Sequence, residues 1–276
     1  MKKTSLFASD LDGTLLRRDG TFSARDLAAL ENLRHRGCAV VLATGRSPFS
    51  LRRCLGERTL PVDWYVLSSG AGILNSEGKV TLSRTLSPDD TLKIHNVFVE
   101  LGITDTSIQG IFPNAHILHW MEGKRCSDFR KRLAYYRDFS KKIDNPEIPS
   151  TEVIGFVHPD RAEKIISALN EIIGEKYSII RATSPIDHNT VWIEVFSQGV
   201  NKASACDTIR KELEIPLTLT AAVGNDWNDI QMLRWANRSF VSSNAPKELL
   251  KEFENVPSNQ HNAVATAVNT WLTVLT

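Results

Sequence analysis

Apolar runs and stretches with helical periodicity alternate along the first 70 residues. Leu6 to Ser9 reads as a short buried strand. Ser23 is placed to cap a helix in which Leu27, Leu30 and Leu33 share one face, and Gly37 suits its C-terminal end. The run Cys38-Ala39-Val40-Val41-Leu42-Ala43 is apolar throughout and β-branched in part, as in a strand covered on both faces. Ser47-Pro48 opens a second helix, and Trp64 to Ser68 forms a third strand. Strand, helix, strand, helix, strand predicts an α/β fold with a parallel sheet and right-handed crossovers.

The middle of the chain has a different rhythm. Ser87-Pro88 opens a helix running towards Leu101, and strands are expected near Thr104–Ile111 and Ile117–Met121, with a turn at Pro113-Asn114. Glu152 to Val157 reads as a strand. A helix capped by Asp160 and ended by Gly174 follows, then strands at Tyr177–Ala182 and Val191–Phe196. Strands this close pair as hairpins, an α+β pattern. From Lys202 the α/β rhythm returns: a helix, the strand Thr220–Val223, a helix from about Asn228, the strand Ser239–Ser242, a helix after Asn244-Ala245-Pro246 and a closing amphipathic helix over Asn262–Leu275. The expected organisation is a discontinuous core, 1–82 and 190–276, with an α+β module inserted at 83–189.

The composition is that of a globular protein, 42% hydrophobic and 24% charged. A balance of 33 Lys+Arg against 32 Asp+Glu is less basic than a dedicated nucleic-acid binder usually is. No apolar run approaches the ~20 residues of a membrane span. Asp10 and Asp12 interrupt the faintly signal-like start before an apolar segment can form, so the start reads as a first strand. Cys38, Cys54, Cys126 and Cys206 are widely spaced, as for free thiols in a reducing cytoplasm.

Four segments carry chemistry, each where a predicted parallel strand ends. Ser9-Asp10-Leu11-Asp12-Gly13-Thr14-Leu15 follows the first strand. Two carboxylates two positions apart diverge on a strand but converge if Gly13 and Thr14 turn the chain, and ligands of open α/β sheets sit at this end. Such a pair repels unless a cation or proton intervenes, and a hard divalent cation such as Mg²⁺ suits it. An acidic turn also uses DxDG, but Leu15, Leu16 and Arg17 do not continue a calcium loop. Ala43-Thr44-Gly45-Arg46 offers a hydroxyl and backbone N–H groups to a phosphate. Lys202 begins a helix, where it opposes the dipole unless an anion is present; a solvated lysine is the competing reading. In Gly224-Asn225-Asp226-Trp227-Asn228-Asp229, capping accounts for one polar side chain and not for all four.

In this order, DLDGT, TGR, Lys202 and GNDWND resemble the haloacid dehalogenase superfamily of phosphatases, and within it the Cof-type branch with an α/β cap between the second and third motifs. Gly70-Ala71 and Asn244-Ala245 extend the likeness over nearly the whole chain. The resemblance implies a Rossmann-like, doubly wound parallel-sheet core with an inserted α+β cap. It implies Asp10 as the nucleophile forming an aspartyl-phosphate and Asp12 as the general acid and base. It also implies phosphate binding by Thr44, Gly45, Lys202 and Asn228, and Mg²⁺ held by Asp10, the Asp12 main-chain carbonyl and the final motif. That motif departs from the usual Gly-Asp-x-x-Asn-Asp. Register favours Asn225 as the metal ligand, and charge favours Asp226. Ser69 stands where Asn often precedes Gly-Ala.

The implied activity is hydrolysis of a small phosphorylated metabolite, a sugar phosphate or a phosphorylated cofactor, in the cytoplasm. A phosphomutase would share Asp10 and Asp12. A scaffold that kept the fold without catalysis would be expected to lose Asp10, Asp12 or Lys202, and all three are present. A nucleic-acid module would have to use the basic stretch Lys124, Arg125, Arg130, Lys131, Arg132, Lys141 and Lys142. Between Glu122 and Lys142 there are eight Lys and Arg against three Asp and Glu, which fits a solvated helix face or contacts to a second anionic group of the substrate.

Overall fold

The computed structural model describes residues 2–274. Chain contacts divide it into two units. The first holds the chain up to Arg46, Arg52–Leu82 and the chain from Asn201 onward; the second holds Ser47–Leu51 and Ser83–Val200.

In chain order the elements before the insert are β1 (Ser5–Asp10), α1 (Ala24–His35), β2 (Cys38–Ala43), α2 (Pro48–Leu55), β3 (Trp64–Leu67), β4 (Gly72–Asn75) and β5 (Val80–Ser83). The insert supplies α3 (Pro88–Glu100), β6 (Thr106–Gln109), β7 (Leu118–Trp120), α4 (Ser127–Tyr135), β8 (Ser140–Lys142), β9 (Glu152–Val157), α5 (Pro159–Ile173), β10 (Tyr177–Thr183) and β11 (Val191–Ser197). The chain ends with α6 (Lys202–Glu212), β12 (Thr220–Gly224), α7 (Ile230–Trp235), β13 (Arg238–Ser242), α8 (Lys247–Glu252), β14 (Glu254–Val256) and α9 (Ala263–Leu272).

The first unit is built on an eight-stranded sheet in the order β14-β13-β12-β1-β2-β3-β4-β5. β1 lies between β2 and β12, parallel to both, with Leu6 opposite Ala39 and Thr220. The sheet is parallel from β14 to β3, and β4 then pairs antiparallel with β3 as a hairpin. Because strands in a parallel sheet are covered on both faces, β1 and β2 have no exposed position, as their apolar runs predict. One face packs Leu6, Ala8, Val41 and Ala222 against Ile209, Met232 and Leu233 of α6 and α7. On the other, Phe7 lies 5.7 Å from the Trp271 ring of α9, which also packs beside α1. Ser23 caps α1 by accepting from the Arg25 and Asp26 N–H groups. Leu30 and Leu33 are buried in α1 as expected, but the third buried position is Asp26, whose carboxylate accepts from the Ala265 N–H at the start of α9. The closing helix ends at Leu272; the expected end at Leu275 lies outside the described residues.

The second unit carries a six-stranded sheet, β10-β11-β9-β6-β7-β8, antiparallel except for β7–β8. Val153, Val191, Ile193 and Val195 pack on Ile94 and Phe98 of α3 and on Ile165 and Leu169 of α5. Ile154, Phe156 and Trp192 of the opposite face pack on Phe129 of α4. Two sequence expectations are corrected here. The insert does not end at 189: β11 pairs along its length with β10 and β9, so the chain leaves this unit only after Val200. Helix α5 is capped by His158 with Pro159 at its first position, so Asp160 lies in the first turn and is not the cap. The basic stretch is α4 and its flanks. Arg130 and Lys131 are exposed, Arg125 and Lys142 pair with Glu122, and Arg132 is buried.

Candidate active site

The site begins where β1 ends. The Leu11 carbonyl accepts from the N–H groups of Thr14, Leu15 and Leu16, closing a tight turn. Gly13 takes φ +82° in that turn, a conformation costly for residues with a Cβ, and an added Cβ would lie 2.5 Å from Asn225 Nδ2. The turn holds Asp10 and Asp12 apart in environment. Asp10 is buried, whereas Asp12 is half-buried and gripped by the Arg46 fork, with Nε at 3.1 and 2.9 Å from its two oxygens and Nη2 at 2.7 Å from Oδ1. Thr44 Oγ1 donates to Asp12 Oδ2 at 3.4 Å and accepts from the Arg46 N–H at 3.1 Å.

Lys202 is 1% exposed, so it is not a solvated helix-start lysine. Its Nζ donates to Asp10 Oδ1 at 2.7 Å and to Asp229 Oδ1 at 2.6 Å. Asn201 caps α6 through the Ser204 N–H and fixes the lysine at the first helical position. The backbone there comes so close to Gly70 that a Cβ on Gly70 would lie 2.2 Å from the Asn201 carbonyl oxygen, at a φ of +106°. Gly70 is thus required by a close approach as well as by its φ. Ser69, at φ 54°, occupies the left-handed region that Asn tolerates best among residues with a side chain. Its N–H donates to the Thr44 carbonyl.

The end of β12 completes the cluster. Asp229 is fully buried, and its Oδ2 accepts from the Asn225 and Asp226 N–H groups at 2.8 and 3.0 Å. Gly224 leaves room for it, since a Cβ there would lie 2.7 Å from the Asp229 side chain. Asn228 lies beside Gly45: an ideal Cβ on Gly45 would be 3.9 Å from Asn228 Nδ2 and 3.4 Å from Ser69 Oγ. Asn244 Nδ2 ties the turn after β1 to the β13 end by donating to the Gly13 carbonyl at 3.0 Å.

Burial raises the Asp10 carboxyl above its ordinary range; the Asp229 charge raises it further, and Lys202 opposes both. For Lys202 burial acts downward, but Asp10 and then Asp229 outweigh it and hold the ammonium well above its ordinary value. Lys202 therefore stays charged throughout the physiological range.

One atom of the Asn225 amide lies 2.8 Å from Thr14 Oγ1, 2.8 Å from the Asp12 carbonyl oxygen and 3.1 Å from Asp10 Oδ2. With nitrogen in that place it donates to the oxygens. With oxygen there, three oxygens converge and repel unless a cation joins them. Adjacent ligands of octahedral Mg²⁺, at about 2.0–2.1 Å from the ion, stand about 2.9 Å apart, close to the 2.8 and 3.1 Å from the amide atom to the Asp12 carbonyl and Asp10 Oδ2. No cluster of three His, Cys, Asp or Glu suited to a metal occurs among the described residues. This set instead combines a carboxylate, a main-chain carbonyl and an amide, a hard-oxygen set that fits Mg²⁺ and not zinc.

The structure thus brings Asp10, Asp12, Thr44, Lys202 and Asn225 into one connected network and sets Gly45 beside Asn228. The Asp226 N–H joins through Asp229. Sequence reasoning passed over Asp229 and the Arg46 side chain. Asp229 had a usable signal: a lysine buried near one carboxylate that must also hold a metal needs a second counter-charge, and the final motif held an acid that capping did not explain.

A mostly parallel sheet with acids at the end of β1, a lysine at the start of α6 and a polar loop after β12 defines a phosphoryl-transfer class of α/β enzyme. The family model for haloacid dehalogenase-like hydrolases matches residues 7–268, and the chain belongs to that family. It is a phosphoric monoester hydrolase. The chain is 28% identical over 275 residues to an HMP-PP phosphatase of Enterobacter sp. (strain 638), covering 97% of this chain and 95% of that protein. An HMP-PP phosphatase of Klebsiella pneumoniae (strain 342) is 26% identical over 283 residues, with the same coverage. Among solved structures, SMU.1108c from Streptococcus mutans UA159 matches with a TM-score of 0.82 at 18% identity, covering 98% of this chain and 100% of that one. The subclass IIB sugar phosphatase BT4131 matches with a TM-score of 0.75 at 17% identity, again over 98% and 100%. Among the described residues no helix is long and apolar enough to cross a membrane.

Proposed function

We propose that this chain hydrolyses the phosphate ester of a small metabolite with Mg²⁺ bound, through a phosphoryl group carried on Asp10. The observation that carries the reading is the position of Lys202 Nζ, which bridges Asp10 and Asp229 while the other Asp10 oxygen lies 3.1 Å from the Asn225 amide. One carboxylate is thereby oriented and partly neutralised without being blocked.

In the first step an Asp10 oxygen forms a bond to phosphorus as the ester P–O bond breaks. Asp12, on the half-buried side of the turn, gives its proton to the departing oxygen. In the second step Asp12 takes a proton from water, the resulting hydroxide bonds to phosphorus, and the Asp10–phosphorus bond breaks to restore the carboxylate. The two acids divide the work because Asp10 is held by Lys202 in the interior whereas Asp12 borders solvent. Lys202 screens the approach of an anionic phosphate to an anionic nucleophile, and Thr44, Gly45 and Asn228 offer hydrogen bonds to its oxygens. Asp10, the Asp12 carbonyl and Asn225 would hold Mg²⁺, which supplies further charge neutralisation at the phosphate. The convergence of the Asn225 amide on the other two supports it over Asp226 as the third ligand.

HMP-PP is the first substrate to test, because the relatives at 28% and 26% identity are HMP-PP phosphatases. Phosphate release is measured over a panel of sugar phosphates and phosphorylated cofactors including it, with and without Mg²⁺. Release that needs Mg²⁺ and vanishes in Asp10→Asn supports the reading. Release that survives EDTA, or survives Asp10→Asn in pure protein, overturns it.

A further inference from the structure

Three residues in a row after β3 stand in left-handed backbone: Ser68 at φ 46°, Ser69 at 54° and Gly70 at 106°. Glycine adopts that conformation freely, but each serine is strained in it. Local side-chain bonding does not account for the first. Ser68 is buried, and its Oγ has no hydrogen-bond partner among the described residues. Two successive strained residues, one with its buried hydroxyl unpaired, point to something that the backbone does.

The turn aims two N–H groups the same way. In an extended strand successive N–H groups face opposite edges, so only alternate residues reach one neighbour. β3 keeps that rule as far as Val66, whose carbonyl accepts from the Thr44 N–H at 2.9 Å. After it, two consecutive N–H groups cross to one loop: Ser68 donates to the Arg46 carbonyl at 3.0 Å and Ser69 to the Thr44 carbonyl at 3.1 Å. A trans peptide is planar, with its C=O and N–H on opposite sides. Holding the Thr44 carbonyl towards Ser69 therefore turns the Gly45 N–H the other way. That N–H makes no hydrogen bond among the described residues.

Gly45 adds an independent observation. Its φ lies outside the left-handed region, and an added Cβ would meet only Ser69 Oγ at 3.4 Å and Asn228 Nδ2 at 3.9 Å, both ordinary contacts. Neither backbone conformation nor crowding within the protein calls for glycine there. A ligand brought close to the backbone does. We propose that Ser69, with Ser68, is a positioning residue for phosphate binding. Its left-handed turn holds the Thr44 carbonyl and so presets the Gly45 N–H as a donor to a phosphoryl oxygen. The role rests on the phosphate site of the reading above, and it runs through the serine backbone and not through the hydroxyl.

The test titrates inorganic phosphate into the full chain in Mg²⁺ buffer by calorimetry, which needs no turnover, with thermal midpoints measured alongside. Ser69→Val puts a β-branched residue where left-handed backbone is least tolerated, so the turn opens and phosphate must close it again. Its affinity for phosphate is expected to fall about tenfold. Ser69→Asn and Ser69→Gly lose the hydroxyl but accept the left-handed backbone, and both should stay within about threefold of the parent. Equal losses in all three would assign the effect to the hydroxyl and overturn the proposal. So would a Ser69→Val protein that binds phosphate like the parent, even with a lower thermal midpoint, since such a residue serves the fold alone. If Ser69→Val does not fold, Ser69→Ala decides: it should bind phosphate more weakly than Ser69→Gly, and equal affinities overturn the proposal. The phosphatase reading fails separately. A parent that binds phosphate but releases none from esters overturns that reading alone, and a parent that binds no phosphate at millimolar concentrations overturns both.

Discussion

Lys202 Nζ stands 2.6 Å from Asp229 Oδ1, and both side chains are wholly buried. The pair does two jobs. It lets an ammonium sit in the interior beside Asp10, and through Asp229 Oδ2 it fixes the loop that presents Asn225. Removing one partner of a buried ion pair typically costs about 3–5 kcal/mol, because the other is left uncompensated. Asp229→Ala is therefore expected to lower unfolding free energy by that order in urea titrations and to abolish phosphate release. A stability change within about 1 kcal/mol would show that Asp10 alone suffices for Lys202.

Asp12→Asn should separate the half-reactions. An ester with a good leaving group needs little proton donation, so Asp10 is still phosphorylated, slowly. Water then lacks a base, and the phosphorylated protein accumulates. Intact-mass spectrometry after a brief pulse of substrate should show the added phosphoryl group in Asp12→Asn and none in Asp10→Asn. Equal loss of both half-reactions would remove Asp12 from the acid–base role.

Charge alone ranks Asp226 above Asn225 as a metal ligand, but the convergence on Asp10 Oδ2 and the Asp12 carbonyl favours Asn225. Asn225→Ala is expected to raise the Mg²⁺ concentration for half-maximal activity about tenfold or more, with Asp226→Ala closer to the parent. Asn225→Asp should tighten Mg²⁺ binding, since a carboxylate replaces an amide in place. Direct Mg²⁺ titration by calorimetry checks all three, and a larger effect from Asp226→Ala would reverse the assignment.

Gly70→Ala carries no charge and touches no substrate group, yet it should damage the enzyme. Its Cβ would fall 2.2 Å from the Asn201 carbonyl, so the start of α6 must move and take Lys202 with it. The expected outcome is a loss of about 2 kcal/mol or more in stability together with a fall in kcat. Gly78→Ala is the control: its φ is also positive, at +80°, but nothing lies within 4 Å of an added Cβ, so only the backbone strain remains and kcat should hold.

Where burial is two-sided, the fold was legible from the residues. Cys38–Ala43 and Glu152–Val157 are strands with those same ends, because continuous apolar or alternating runs leave few other solutions. Polar residues at special positions were harder to read. Asp26, in the first turn of α1, is buried to hold α9, and Lys202 read equally well as a surface residue until its two carboxylates were found. Both depend on groups far along the chain that local periodicity cannot register. The boundary at 190 failed for a related reason: β11 resembles any buried strand, and only its pairing assigns it to the second sheet. Likewise Arg132 belongs to a visibly basic run, and its burial depends on Trp192.

The order of synthesis gives the core sheet a particular history. β1, β2 and β3 leave the ribosome early, but the open side of β1 finds its neighbour only when β12 emerges, with Leu6 meeting Thr220. The insert has no such wait, since every strand of its sheet lies between Thr106 and Ser197. Local sheets close sooner than sheets whose strands are far apart in the chain. The middle of this protein therefore completes itself while its first strands still expose an unpaired apolar edge, the kind of edge on which chains aggregate. A chain halted before β12 keeps its insert and loses solubility, and any fusion or truncation of this enzyme has to spare its last 60 or so residues for the sake of its first ten.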